Sequence, residues 1–236
     1  MNIAKMNEAL RFLIDKYAVP AGEIAESADG PVLRHDGEET PLLPWRVERR
    51  FVELKNLTED GTLEGLSTLR FASSANGGDL GEMAAKEIDL AVWLTGSPIV
   101  SLFSVCSGRV AANIIAKLAN DMNVSVELST LLPEGTEPID RHEIIARRGV
   151  ASDRVVDSQV PQSSIYVFTA KGEKRYTDVD TELFGMATDE IWIVRAAFAV
   201  LGKKTLAPEW KSARALMKRY AEAVIESDRD CRVVKF

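Results

Sequence analysis

Histidine and cysteine are nearly absent from this chain, two of each in 236 residues. Cys106 and Cys231 have no Cys-x-x-Cys or Cys-His companion, which excludes a disulfide framework. Two reduced, buried thiols are expected, with one long-range bridge as the alternative. His35 and His142 stand apart, without the His-x-x-x-His spacing of a helical zinc site, so no metal is expected. Positive charge is also short, 29 basic against 36 acidic residues for a net of −7, which argues against nucleic acid or an anionic membrane as partner. No run approaches the roughly 18 apolar residues of a membrane span. The N-terminus is an amphipathic helix carrying Glu8, Arg11 and Asp15 rather than a signal-peptide core, so the reading is cytoplasmic. Absent too is any Gly-x-Gly-x-x-Gly, the turn that seats a dinucleotide pyrophosphate on a helix N-terminus.

The chain does have enough apolar content, 46%, for a full core. Ile3, Met6, Leu10, Leu13, Ile14 and Tyr17 line one side of a helix over 2–17, which breaks at Pro20 and Gly22. Residues 22–44 are polar and rich in turn residues, and read as loops around at most one short strand, Val32 to His35. Helix and loops together form an N-terminal arm, residues 1–43, ahead of a main domain over 44–236. In that domain a helix is predicted over 48–58, a strand over 64–73, and a second strand in the apolar run 99–105. Val110, Ile114, Ile115 and Leu118 keep helical spacing, so 110–119 reads as a helix. Strands are expected at 124–132, 142–148, 163–169 and 173–177, then helices at 188–201 and 209–227 and a short final strand. Several strands after residue 122 without regular helical crossovers predict an α+β domain, a mainly antiparallel open sheet with helices on one face.

The most informative segment runs from Gly77 to Gly96. Asn76, Gly77 and Gly78 make a turn, and a helix follows in which Glu82, Lys86, Asp89 and Trp93 fall at intervals of four, three and four, one stripe on one face. Glu82 and Lys86, acid first and four apart, suit a surface ion pair worth only a few tenths of a kcal/mol. Asp89 suits a structural aspartate and Trp93 a core side chain. Arg46, Arg49 and Arg50 read either as a solvated basic face or as a cluster around an anionic ligand, since arginine offers a bidentate fork. Arg141 and His142, next to Asp140, are assigned to a strand start without a defined cleft. Tyr166, Lys171 and Tyr176 are weaker candidates.

This segment resembles the C-terminal domain of the Gfo/Idh/MocA oxidoreductases, the glucose-fructose oxidoreductase type. There the run is Gly-Gly-x-Leu-x-Asp-x-Gly-x-His-x-Ile-Asp followed by Trp-Leu-x-Gly. Gly77, Gly78, Leu80, Ile88, Asp89, Trp93, Leu94 and Gly96 match it in register. The resemblance implies substrate contact at the family's aspartate and histidine positions, with the histidine as general base for hydride transfer to a nicotinamide. Glu82 and Lys86 stand at those positions here, and Ala84 replaces the middle glycine. A free lysine, with a pKa of roughly 10.4, is protonated at neutral pH and cannot abstract a proton. The family's Glu-Lys-Pro motif is missing as well. Weaker likeness, in the order of elements, extends from Glu8–Ile14 through Arg49–Gly65 to the last helix and strand.

Two function classes follow from the resemblance. One is a stand-alone ligand-binding and oligomerisation module that pairs through its sheet as a homodimer or higher oligomer, with Arg46, Arg49, Trp93, Gly77 and Gly78 on the ligand side. It holds no cofactor, and NAD or NADP enters only through a separate nucleotide-binding subunit. The other is an enzyme of altered mechanism acting on a small polyol or sugar-like substrate through Lys86 and Glu82, with Asp89 in support. A partial copy without independent function is a third possibility.

Overall fold

The side chain of Asn2 accepts the Lys5 N–H and so starts α1 (Ile3–Tyr17), which stops where Ala18 turns left-handed. The structure is a computed structural model and describes residues 1–153, 164–169, 172–177 and 185–236. Lys171 and the start of the strand predicted over 163–169 lie outside the described residues. The chain forms two compact units, Met1–Val52 with Asp178–Ala215, and Glu53–Thr177 with Leu216–Phe236.

In the first unit, α1 is followed by three antiparallel strands, β1 (Glu23–Ser27), β2 (Gly30–His35) and β3 (Glu38–Pro41), in that order. This corrects the reading of 22–44 as loops around one strand. Asp36 and Gly37 both have positive φ, 51° and 77°, the requirement of a tight hairpin turn. The strand signal is weak because so few side chains are buried, chiefly Ile24, Ala25, Val32, Leu33 and Thr40. Asn7 of α1 clasps β1 by donating from Nδ2 to Ile24 O at 2.8 Å and accepting the Ile24 N–H at 2.7 Å. The unit also holds α4 (Thr188–Gly202), buried nearly all round as its apolar content predicts.

In the second unit, β4 (Leu66–Ser74), β5 (Ile99–Ser107), β6 (Ala111–Leu118), β7 (Asn123–Ser129), β8 (Ile139–Ala146), β9 (Gly149–Ser152), β10 (Ser164–Thr169), β11 (Gly172–Thr177) and β12 (Val234–Lys235) form one nine-stranded sheet. Its order is β11-β10-β9-β8-β4-β7-β6-β5-β12, and β4 with β7 is the parallel pair in an otherwise antiparallel sheet. The helix predicted at 110–119 is therefore a strand. Ala112, Ile114, Ala116 and Leu118 are buried at a period of two while Ile115 is 61% exposed, so alternation overrides the chance helical spacing. β9 is an additional strand that the sequence reading passed over.

Helix α2 (Arg49–Glu59) forms where the sequence predicts a helix over 48–58, and α3 (Leu80–Thr95) with the C-terminal part of α5 (Leu206–Asp230) covers one face of this sheet. On that face Leu69, Phe71, Leu102, Ile114, Val126 and Ile144 are buried. Ser104 ties β5 to α5 by donating from Oγ to Val224 O at 2.6 Å, while its N–H donates to Ser227 Oγ at 3.0 Å. Gly81 lets α3 approach α5, since a Cβ there would meet the Ala221 Cβ at 3.4 Å. On the opposite face Val105 and Ile115 are exposed. The α+β class, the mainly antiparallel sheet and the helices on one face are as the sequence predicts.

Candidate functional site

Gly77 and Gly78 have φ of 69° and 99°, open space on their Cβ side, and a Gly77 N–H donated to Thr130 O at 2.9 Å. They make the turn that leads into α3, where Asp79 caps the helix by accepting the Glu82 N–H at 2.9 Å. At the other end Gly96, in the left-handed region, closes it. Along the predicted stripe Glu82 is exposed, the Lys86 side chain is 32% exposed, Asp89 is buried and Trp93 is half-buried. Lys55 lies at the far end, donating to Trp93 O at 2.9 Å with its Nζ 5.2 Å from the Trp93 ring centre.

Beside the stripe is a buried charged residue that sequence reasoning passed over, Glu87, 1% exposed. Its Oε1 is 3.4 Å from Lys86 Nζ and accepts no hydrogen bond among the described residues. Its Oε2 is 2.9 Å from Nε2 of His142, a β8 residue with no exposure at all. His142 Nδ1 is in turn 2.5 Å from Oδ2 of Asp153, just beyond β9, while Asp153 Oδ1 accepts the His142 backbone N–H at 2.7 Å. Phe71 of β4 meets the imidazole edge-on, with ring centres 4.9 Å apart. The result is a chain of alternating charge, Lys86, Glu87, His142 and Asp153, running from the edge of α3 to the sheet.

Burial alone would push the His142 imidazole down, but the carboxylates of Asp153 and Glu87 outweigh it and raise the group to about 10. Burial would likewise push the Glu87 carboxyl up, and Lys86 and His142 together hold it below the usual carboxylate range. At neutral pH both His142 nitrogens are then donors and both neighbouring carboxylates acceptors. Asp140, His142 and Asp153 also place donor atoms within 4.8 Å of one another, a spacing a metal ion can use, although both imidazole nitrogens face carboxylates.

The arginine candidates fall in the first unit. Arg46 is buried in the first unit and bonded to Glu209 at 2.9 Å, Arg50 is paired with Glu48, and Arg49 is exposed. All three belong to the first unit, whereas Glu82, Lys86, Asp89 and Trp93 belong to the second. A cleft of about 720 Å³ in the first unit, lined by Ile3, Ala4, Asn7, Arg11, Gly22 and Glu23, contains none of the predicted residues. The cysteines depart from two buried thiols. Cys231 is exposed and Cys106 half-buried, and Asp228 touches both, accepting the Cys106 N–H at 2.7 Å and the Cys231 thiol, through its carbonyl, at 3.5 Å.

No protein-family model matches the sequence, and a search of curated proteins gives no match. Solved structures do match. Aldose-aldose oxidoreductase from Caulobacter crescentus superposes with a TM-score of 0.63 at 14% identity, over 82% of this chain and 62% of its own. A levoglucosan dehydrogenase solved with NADH and levoglucosan gives 0.64 at 15%, over 82% and 64%, and an oxidoreductase from Sinorhizobium meliloti gives 0.65 at 11%, over 85% and 65%. The fold is that of the Gfo/Idh/MocA-type oxidoreductases. The chain spans less than two thirds of the length of these structures, and its size fits their C-terminal domain.

Among the described residues no helix is long and apolar enough to cross a membrane. Glu87 left one signal in the sequence, an acid between Lys86 and Ile88 on a helix otherwise packed with alanine and leucine. Its partners could not be read, because they come from β8 and the end of β9, strands brought to α3 only by the sheet.

Proposed function

We propose that this chain is the ligand-binding and oligomerisation module of an oxidoreductase-type assembly, with Lys86 as the ligand-facing group and with no nicotinamide chemistry of its own. The observation that carries this reading is Lys86 itself, at the signature position, partly exposed and tethered at 3.4 Å to a buried carboxylate. A lysine so held serves as a hydrogen-bond donor to a ligand oxygen rather than as a base. Levoglucosan and aldoses, named with the similar structures, point to small polyols or sugars as the ligand class. Assembly through the uncovered sheet face is supported by the exposed Val105 and Ile115 on it. Hydride transfer then depends on a nucleotide-binding domain that carries the phosphate turn.

The test is calorimetric titration of the chain with levoglucosan, glucose and myo-inositol, and separately with NADH. Saturable binding of a polyol, lost in Lys86→Ala, together with no saturable NADH binding, supports the module. NADH binding and turnover of a polyol by the chain alone, abolished in Lys86→Ala or Glu82→Ala, would replace it with the altered enzyme.

A further inference from the structure

We propose that Glu87, His142 and Asp153 act as positioning residues for Lys86, fixing its Nζ at the ligand-facing edge of α3. The inference deepens the ligand reading above, and rests on it only for what Lys86 then touches. Asp153 holds the β8 backbone at His142 through Oδ1 and the imidazole through Oδ2, so the ring has little freedom to rotate. Phe71 braces it from the side. The ring then holds Glu87 Oε2 at 2.9 Å, which sets Oε1 of the same carboxylate at ion-pair distance, 3.4 Å, from Lys86 Nζ without a hydrogen bond.

The distribution of exposure supports a positioning role over a purely structural one. Glu87, His142 and Asp153 are each 1% exposed or less, whereas the Lys86 side chain keeps about a third of its surface. A chain built only to hold α3 on the sheet would be complete at Glu87 and His142. This one continues outward to the single member that a ligand can reach. A flexible lysine loses several rotamers on binding, and a tether that removes them beforehand lowers that cost. Without Glu87 the four-carbon stem loses its contact with the buried carboxylate.

Competitive acetylation of the full chain with trace acetic anhydride, read lysine by lysine by peptide mass spectrometry, tests this without any ligand. In the wild type Lys86 is expected to label more slowly than Lys117, whose partner Asp121 is exposed. In Glu87→Gln the Lys86 rate should rise about fivefold relative to the other lysines, the scale of a partly exposed ion pair of about 1 kcal/mol. Asp153→Asn should raise it less, from two links away. A merely structural network would alter all lysines together through lost stability, or none. Lys86 labelling as fast as Lys117 in the wild type overturns the proposal, and so does an unchanged Lys86 ratio in either folded variant. Failure of polyol binding with these rates as expected would instead remove only the ligand reading.

Discussion

Glu87 on α3 and His142 on β8 meet through Oε2 and Nε2 at 2.9 Å, 55 residues apart in sequence and both buried. Two charges removed from water are stable only while each compensates the other, so the contact constrains helix and strand together. Truncating Glu87 leaves His142 charged, buried and short of one of its two carboxylates. Glu87→Ala is therefore expected to cost about 3 to 5 kcal/mol, the range for breaking a buried pair. Urea denaturation at pH 7 measures it, and a loss below 1 kcal/mol would mean that water reaches the site.

His142 makes the second unit sensitive to alkali. The native imidazole holds its proton to about pH 10, whereas an unfolded histidine releases it near 6.5. Between those values the native state binds one more proton than the unfolded state, so stability falls as pH rises, with a limiting slope of about 1.4 kcal/mol per pH unit. Below the lower value the contribution is fully present. Glu87, held below its ordinary range, works in the opposite sense, and its contribution is lost as acid protonates it. Denaturation midpoints from pH 6 to 10 should decline in the wild type and flatten in His142→Gln. Parallel profiles would remove His142 as the cause.

The fold was legible where one pattern dominated. α1, α3 and α4 follow from apolar spacing and caps, and β5 from a continuous apolar run. It was not legible at β6, where Ile114, Ile115 and Leu118 satisfy a helical period as well as alternation, and the pairing with β5 and β7 decides. The stripe Glu82, Lys86, Asp89 and Trp93 was visible because helical geometry is local. Glu87 with His142 and Asp153 was not, because sheet order, which no local period encodes, brings those residues together.

Cys231 and Cys106 should separate in reactivity. Burial and the neighbouring Asp228 carboxylate push the Cys106 thiol up, which lowers its thiolate fraction, while Cys231 is exposed. Iodoacetamide at pH 8 is expected to modify Cys231 first and Cys106 several-fold more slowly, as peptide mass spectrometry would read. Equal rates would indicate that β5 opens near Cys106 in solution.

If the uncovered sheet face joins copies of the chain, a charge at its centre should separate them. Ile115 is 61% exposed on β6, so Ile115→Arg introduces a charge on that face without disturbing the buried side chains of the same strand. Light scattering after gel filtration should show a dimer or larger species for the wild type and a monomer for the variant, with thermal unfolding changed by little. A wild-type monomer at micromolar concentration would remove oligomerisation from the proposed function.

Two glycines in the first unit predict opposite outcomes for the same substitution. A Cβ at Gly22 would lie 2.9 Å from Leu201 Cδ2, 3.0 Å from Leu33 Cδ1 and 3.3 Å from Arg34 O, so α4 and β2 close on it from two sides. Leu33 and Leu201 are themselves buried and have little room to yield, and overpacking of this kind costs about 1 to 3 kcal/mol. At Gly202, the last residue of α4, nothing lies within 4 Å of the added carbon and the backbone is outside the left-handed region. Gly202→Ala should therefore be neutral or stabilise by up to about 1 kcal/mol, by restricting the unfolded chain. Thermal melts of both variants against the wild type check the pair. A tolerated Gly22→Ala would show that the Leu33 and Leu201 side chains yield despite their burial.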